Sequence, residues 1–132
     1  METLIYMLED DSDDRYLTNE IVEELGMDIN IKYFSSSTDL MEMLEKNTPA
    51  LILTDFNSSP ENGLEVLSKL KTTSASGVPC VILTENEYPG LKSKCYAAGA
   101  SSVITKPKDM VQTRQKIKSF FEYWLYVAGL RN

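Results

Sequence analysis

The chain has 132 residues, the length of one domain with a single hydrophobic core. Hydrophobic residues at 42% and charged residues at 25% are typical of a globular protein. The net charge of −7 argues against a nucleic-acid partner, because nucleic-acid binding needs a basic face that displaces counterions. No apolar run approaches the roughly 18 residues of a membrane span, and no signal peptide opens the sequence, so we expect a cytoplasmic protein.

The absence of histidine narrows the possible chemistry. It excludes Ser–His and Cys–His catalysis, the common zinc sites and a phosphohistidine on this chain. The two cysteines, Cys80 and Cys95, lack a metal-binding or CxxC spacing and stand in apolar surroundings. We expect both to be buried thiols in a reducing compartment.

Five short apolar runs alternate with helical patterns. The runs predict strands over residues 3–8, 29–34, 51–55, 79–84 and 101–105. The second run alternates polar and apolar residues, as exposed edge strands do. Alternating strands and helices predict a parallel sheet with right-handed crossovers and helices on both faces. We therefore expect an α/β, flavodoxin-like (βα)5 three-layer sandwich with the strand order 2-1-3-4-5.

The first helix has clear ends in the sequence. Asp11 or Ser12 caps its start, and Gly26 stops it. Asp13 and Asp14 fall in its first turn, where the helix dipole favours negative charge. These acids therefore have a sufficient structural explanation.

Polar side chains stand where four of the five strands end. Glu9 and Asp10 follow strand one, Asp55 ends strand three, Thr84 ends strand four, and Lys106 follows strand five. Because the carboxyl ends of parallel strands share one edge of the sheet, we expect these side chains to converge. Viewed by itself, Asp55 is equally well explained as the start of a turn, since turn formers follow it.

Three carboxylates at one edge would repel one another and raise each other's pKa unless cations balance them. Oxygen ligands favour Mg²⁺ or Mn²⁺ with water completing the octahedron, and we expect Mg²⁺. Asp55, flanked by such a cation, the Thr84 hydroxyl and the Lys106 ammonium, would be a suitable phosphoryl acceptor. The metal and the amine would neutralise the incoming oxygens.

These motifs, in this order and spacing, resemble the receiver domain of a two-component response regulator. The matching segments are Leu8-Glu9-Asp10-Asp11, Leu51-Ile52-Leu53-Thr54-Asp55 with Gly63 eight residues on, Val81-Ile82-Leu83-Thr84, Ala98-Gly99-Ala100 and Thr105-Lys106-Pro107. The resemblance covers nearly the whole chain. It implies a stand-alone receiver over residues 1–132 with no output domain, acting as a signalling module and not as an enzyme.

The resemblance also implies roles for individual residues. Asp55 would be the phosphoacceptor and Asp10 a direct metal ligand. Glu9 would bind the metal through a water, and the backbone carbonyl of Asn57 would be a further ligand.

Thr84 and Lys106 would bind the phosphoryl oxygens, and the Lys106–Pro107 peptide would be cis. The phosphoryl donor would be a histidine kinase or a phosphotransfer protein. The output would be phosphorylation-dependent protein binding.

Three positions depart from the family pattern. Pro60 stands one residue later than the family's proline, Glu85 replaces a small residue after the strand-four threonine, and Val103 replaces an aromatic residue in strand five. Valine cannot swing a ring or hydroxyl between solvent and core. We therefore predict that the signal leaves through residues 85–90 and the fourth helix.

The last helix, predicted from Asp109 to about Ala128, carries apolar and aromatic residues all round its second half. A surface helix buries only one face, so we expect Tyr123, Tyr126 and Val127 to form a contact surface. A likeness to short regulators that pair with phytochrome-like kinases implies a homodimer through this helix. Packing against the domain's own surface is the alternative.

Two other functions fit part of the pattern. A haloacid-dehalogenase-type phosphatase also uses an Asp nucleophile, Mg²⁺, Thr and Lys, but it needs a second Asp where this chain has Asn57. A pseudo-receiver scaffold would keep the fold without being phosphorylated. Turnover of a phosphomonoester would favour the phosphatase, and no response to acetyl phosphate would favour the scaffold.

Overall fold

A computed structural model describes residues 2–85, 88–127 and 129, without the side chain of Val127. Five parallel strands form one sheet in the order β2-β1-β3-β4-β5, so the predicted fold and strand order are confirmed. The strands are β1 (Thr3–Leu8), β2 (Ile29–Phe34), β3 (Leu51–Asp55), β4 (Cys80–Thr84) and β5 (Ser102–Thr105). Their helices are α1 (Ser12–Leu25), α2 (Ser37–Leu44), α3 (Gly63–Leu70), α4 (Leu91–Ala97) and α5 (Met110–Glu122).

Apolar clusters cover both faces of the sheet. One cluster joins it to α2, α3 and α4, and the other joins it to α1 and α5. Successive residues of β1 serve opposite faces: Tyr6 belongs to the first cluster, and Ile5 and Met7 belong to the second. This double burial explains why the central strands are almost continuously apolar. No helix among the described residues is both long and apolar enough to cross a bilayer.

The start of α1 is held by a side-chain cap. The carboxylate of Asp11 accepts hydrogen bonds from the backbone N–H groups of Asp13 and Asp14, and Gly26 ends the helix with a left-handed φ of 66°. Caps of this kind stabilise a helix by about 1 kcal/mol. The cap holds the first turn of α1 beside the carboxyl edge of the sheet.

The C-terminal helix differs from its predicted extent. α5 ends at Glu122 and is followed by a π-helical turn over Tyr123–Val127, whereas Ala128 lies outside the described residues. Phe120 and Phe121 are buried, and the ring of Trp124 packs against Phe120 at 6.4 Å. Because this segment is apolar on all sides, its sequence has no periodicity that separates an α-turn from a π-turn.

A tyrosine from α4 covers part of the β5 edge. Val103 is buried in the cluster on the α2–α4 face, and its backbone N–H donates to Tyr96 Oη at 3.2 Å. Val103, which stands where the family usually has an aromatic residue, is therefore part of the hydrophobic core. An aromatic side chain from the neighbouring helix contacts its backbone.

Gly63 offers a test of how closely α3 packs. An added Cβ would lie 3.0 Å from Phe56 Cα and 3.2 Å from Ile82 Cδ1. Although Ala favours helix more than Gly, we expect Gly63→Ala to lower the free energy of unfolding by about 1–3 kcal/mol through overpacking. Urea denaturation measures this change.

Gly77→Ala is the control, because nothing lies within 4 Å of a Cβ at that position. It should change the free energy of unfolding by less than about 1 kcal/mol. Equal destabilisation by the two substitutions would show that the contact around Gly63 is not the cause.

Candidate functional site

The candidate site lies at the carboxyl edge of the sheet. Glu9 and Asp10 follow β1, Asp55 is the last residue of β3, Thr84 is the last of β4, and Lys106 follows β5. The N–H of Lys106 donates to the carbonyl of Thr84 at 2.7 Å, which continues the β4–β5 ladder beyond the strand. The backbone thus brings residues from four strands to one place.

Three carboxylates converge at this edge. One oxygen from each of Glu9, Asp10 and Asp55 lies within 4.8 Å of the other two. Glu9 is 1% exposed, Asp55 is partly buried, and Asp10 is exposed. An all-oxygen set with one side open to water fits a hard divalent cation such as Mg²⁺, which keeps several of its waters.

The loop after β3 orients the carboxylate of Asp55. The backbone N–H of Asn57 donates to Asp55 Oδ1 at 3.2 Å. The other oxygen, Oδ2, lies 3.8 Å from the ammonium of Lys106. Thr84 is buried at the end of the neighbouring strand. The ligand role of the Asn57 carbonyl and the phosphoryl contact of Thr84 stay predictions.

The expected cis peptide between Lys106 and Pro107 is not found. Among the described residues the cis peptide is Ser59–Pro60, so Lys106–Pro107 is trans and the resemblance was wrong there. The trans preference of X-Pro peptides is small, and the surrounding structure therefore decides which isomer is present.

Lys106 lies among three carboxylates. Its Nζ is 2.6 Å from Glu9 Oε1, 3.2 Å from Asp14 Oδ2 and 3.8 Å from Asp55 Oδ2. Because the lysine side chain is only 16% exposed, these attractions are screened less than those of a surface pair.

Asp14 is the residue that the sequence analysis missed. It was explained by the helix dipole alone, yet a further signal was present. Asp14 is the third residue after the cap Asp11, and helical side chains point back toward the N-terminus of their helix. That direction leads from the first turn of α1 to the carboxyl edge of the sheet.

Burial and charge act in opposite directions on two pKa values. Burial raises the pKa of Glu9 to about 7, even though the adjacent ammonium of Lys106 lowers it. For Lys106, burial would lower the pKa, but Glu9, Asp55 and Asp14 outweigh that effect and raise it. The lysine therefore keeps its charge, while the cluster remains short of positive charge, which a divalent cation would supply.

The raised pKa of Glu9 predicts a pH dependence of the metal-free fold. The folded state binds this proton more tightly than the unfolded chain, where the ordinary value is 4.5. The stability that the proton on Glu9 contributes is fully present below pH 4.5 and is lost as pH rises through about 7. Relative to Glu9→Gln, wild type in EDTA should lose on the order of 3 kcal/mol of unfolding free energy across this window.

Urea denaturation of both proteins at pH values below, within and above the window measures the difference. A constant gap between wild type and Glu9→Gln across all pH values would contradict the raised pKa.

Comparison with known proteins identifies the family. Residues 5–118 match the family described as the response regulator receiver domain. The transcriptional regulatory protein CrdR of Helicobacter pylori is 27% identical over 123 residues, which are 92% of this chain and 56% of that protein. The response regulator Rre1 of Synechocystis is 24% identical over 106 residues, 80% of this chain and 46% of that protein. The chain thus spans about half the length of these curated relatives.

Solved structures share the fold. The phosphorylated cyanobacterial phytochrome response regulator RcpA matches with a TM-score of 0.92 and 24% identity, over 100% of both chains. The Mn²⁺-bound form of response regulator Rcp1 matches with a TM-score of 0.90 and 22% identity, over 98% of this chain and 99% of that one. With the family match, these findings give a plain conclusion: the chain belongs to the response regulator receiver domain family, whose members are phosphoacceptor signalling modules and not catalytic enzymes.

Proposed function

We propose that this chain accepts a phosphoryl group on Asp55 from a histidine kinase or a phosphotransfer protein and signals by phosphorylation-dependent protein binding. The observation that carries the proposal is the convergence of Glu9, Asp10 and Asp55 beside the ammonium of Lys106, in a chain of the receiver family. Receiver domains work with histidine kinases, which supplies the class of the donor.

The acid cluster would hold Mg²⁺. Asp10 and Asp55 would bind it directly, Glu9 through a water, and Asn57 through its backbone carbonyl. The response regulator Rcp1, which shares the fold, has been solved in an Mn²⁺-bound form, and this supports a divalent ion here. When bound, the ion supplies positive charge to the carboxylates and to the incoming phosphoryl oxygens.

Asp55 would act as the nucleophile. A carboxylate oxygen of Asp55 forms a bond to phosphorus while the bond between phosphorus and the donor's histidine nitrogen breaks, and that nitrogen keeps the electron pair. The N–H of Asn57 holds Oδ1 of the acceptor in place. Thr84 and Lys106 would bind the phosphoryl oxygens, whose negative charge the ammonium partly neutralises.

Chemical phosphorylation tests this proposal. With acetyl phosphate and Mg²⁺, intact-mass measurement should show one added phosphoryl group on wild type and none on Asp55→Asn. Equal labelling of the variant would place the acceptor elsewhere. No labelling of wild type would favour the unphosphorylated scaffold.

The C-terminal turn offers a surface for output. Tyr123 and Tyr126 are 52% and 67% exposed, and we call this pair the aromatic surface. Tyr123 packs edge-on against Trp124, with ring centroids 5.6 Å apart. We propose that a second copy of this chain covers the aromatic surface, because a homodimer would bury this exposed aromatic area. The predicted third member, Val127, has a side chain outside the described part of the structure.

A route from the site to this surface would pass through α4 and β5. The loop that follows Thr84 leads to α4, although its residues 86 and 87 are not described. Tyr96 of α4 contacts the backbone of Val103 in β5. Ile104, the next residue, lines a groove together with Tyr123 and Trp124.

Sedimentation tests the dimer. Wild type with Mg²⁺ and beryllofluoride, a phosphoryl mimic, should dimerise at tens of micromolar, and Tyr123→Ala/Tyr126→Ala should weaken dimerisation by about tenfold or more. Tyr16→Ala, which removes another exposed tyrosine, should have no effect. If every sample is monomeric, with or without the mimic, the aromatic surface serves another partner.

A further inference from the structure

Asp14 contacts the lysine of the site without belonging to the acid cluster. Within the described residues, the carboxylates in contact with Lys106 Nζ come from Glu9, Asp55 and Asp14. Glu9 and Asp55 are members of the cluster that could hold a cation, and Asp14 is not. Asp14 therefore remains available to the ammonium when a cation occupies Glu9 and Asp55.

Asp14 and the cluster also open into different concavities. Asp14 and Lys106 line a polar crevice together with Glu85 and Lys108. A smaller concavity is lined by Glu9, Asp10 and Asp55, and Asp14 does not line it. Asp14 thus attracts the lysine from the crevice side, while Glu9 attracts it from the cluster side.

The backbone around Asp14 is fixed, whereas Lys106 has a long and flexible side chain. The N–H of Asp14 donates to Asp11 Oδ1 at 3.1 Å, and its carbonyl accepts a hydrogen bond from Thr18 Oγ1 at 2.8 Å. Thr18 is 2% exposed, so the first turn of α1 is anchored in the core. Asp14 can therefore determine where the ammonium rests.

Charge determines how this contact would act. A divalent cation on Glu9 and Asp55 would repel the ammonium, and Asp14, whose Oδ2 lies 3.2 Å from Nζ, would retain it. A phosphoryl group on Asp55 would instead attract the ammonium away from Asp14. The carboxylate of Asp14 would then compete with the phosphoryl oxygens.

We propose that Asp14 is a positioning residue: it shares the Lys106 ammonium with Glu9, draws it toward the crevice side of the site, and competes for it with the phosphoryl group. The inference rests on the proposed function of Asp55. Without Asp14, the ammonium, which already lies 2.6 Å from Glu9, is left to Glu9 and Asp55 alone, so Mg²⁺ binds more weakly. With Mg²⁺ saturating, the ammonium is freer to bind a phosphoryl mimic, so that mimic binds more tightly.

The test compares Asp14→Asn with Asp13→Asn, which removes the same charge at an exposed neighbour. Calorimetric titration should show a Kd for Mg²⁺ raised about three- to tenfold by Asp14→Asn, and fluorine NMR should show a Kd for beryllofluoride lowered about threefold. Asp13→Asn should change either value by less than about twofold. Asp14→Glu, which keeps the charge, should restore values close to wild type.

A Lys106→Met background separates positioning from a general field effect. If Asp14 acts through the lysine, Asp14→Asn in that background should change Mg²⁺ affinity no more than Asp13→Asn does. An equal effect with and without Lys106 would overturn the proposal, as would an Asp14→Asn protein identical to wild type. If wild type takes up phosphate from acetyl phosphate in these cases, the function of Asp55 stands and only the role of Asp14 fails. A wild type that binds neither Mg²⁺ nor beryllofluoride overturns both.

Discussion

The site depends on the charge balance around Lys106. One ammonium faces carboxylates from the residue after β1, from α1 and from β3, although it stands 97 residues from Glu9 and 92 residues from Asp14. Taking these groups out of water is costly unless opposite charges meet at close range. The lysine provides that balance only in part, as the raised pKa of Glu9 shows. The same deficit that costs stability in the free protein makes the edge receptive to a divalent cation.

The fold supplies this arrangement because the sheet beneath it is apolar on both faces. Tyr6 and Ile52 are fully buried on one side, and Ile5, Leu51 and Val81 are fully buried on the other. Burial of this extent keeps the strand ends in register, so residues from distant segments meet with little freedom to separate. It also excludes water from below, which strengthens every charge interaction at the edge.

Much of this fold can be predicted from the sequence, because strand patterns and their final residues are local. The convergence of Glu9, Asp10 and Asp55 follows from two short apolar runs that end in acids, and the strand order is a common one for this alternation of strands and helices. The contact between Asp14 and Lys106 depends on where the first turn of α1 meets a loop that follows β5. The π-helical turn at Tyr123 depends on packing in a segment with no apolar period. Neither is encoded within a short window of residues.

The contact between Tyr96 and β5 has a consequence for how the molecule meets other chains. β5 is an edge strand of four residues, and such an edge presents backbone donors that can pair with a foreign strand. The hydroxyl of Tyr96 occupies one of these donors, the N–H of Val103, and its half-exposed ring lies at the same edge. Strand addition here would first have to displace that phenol. Aggregation by addition of strands to β5 is therefore disfavoured. Another protein that approaches this edge would contact side chains such as the Tyr96 ring instead of pairing with the backbone.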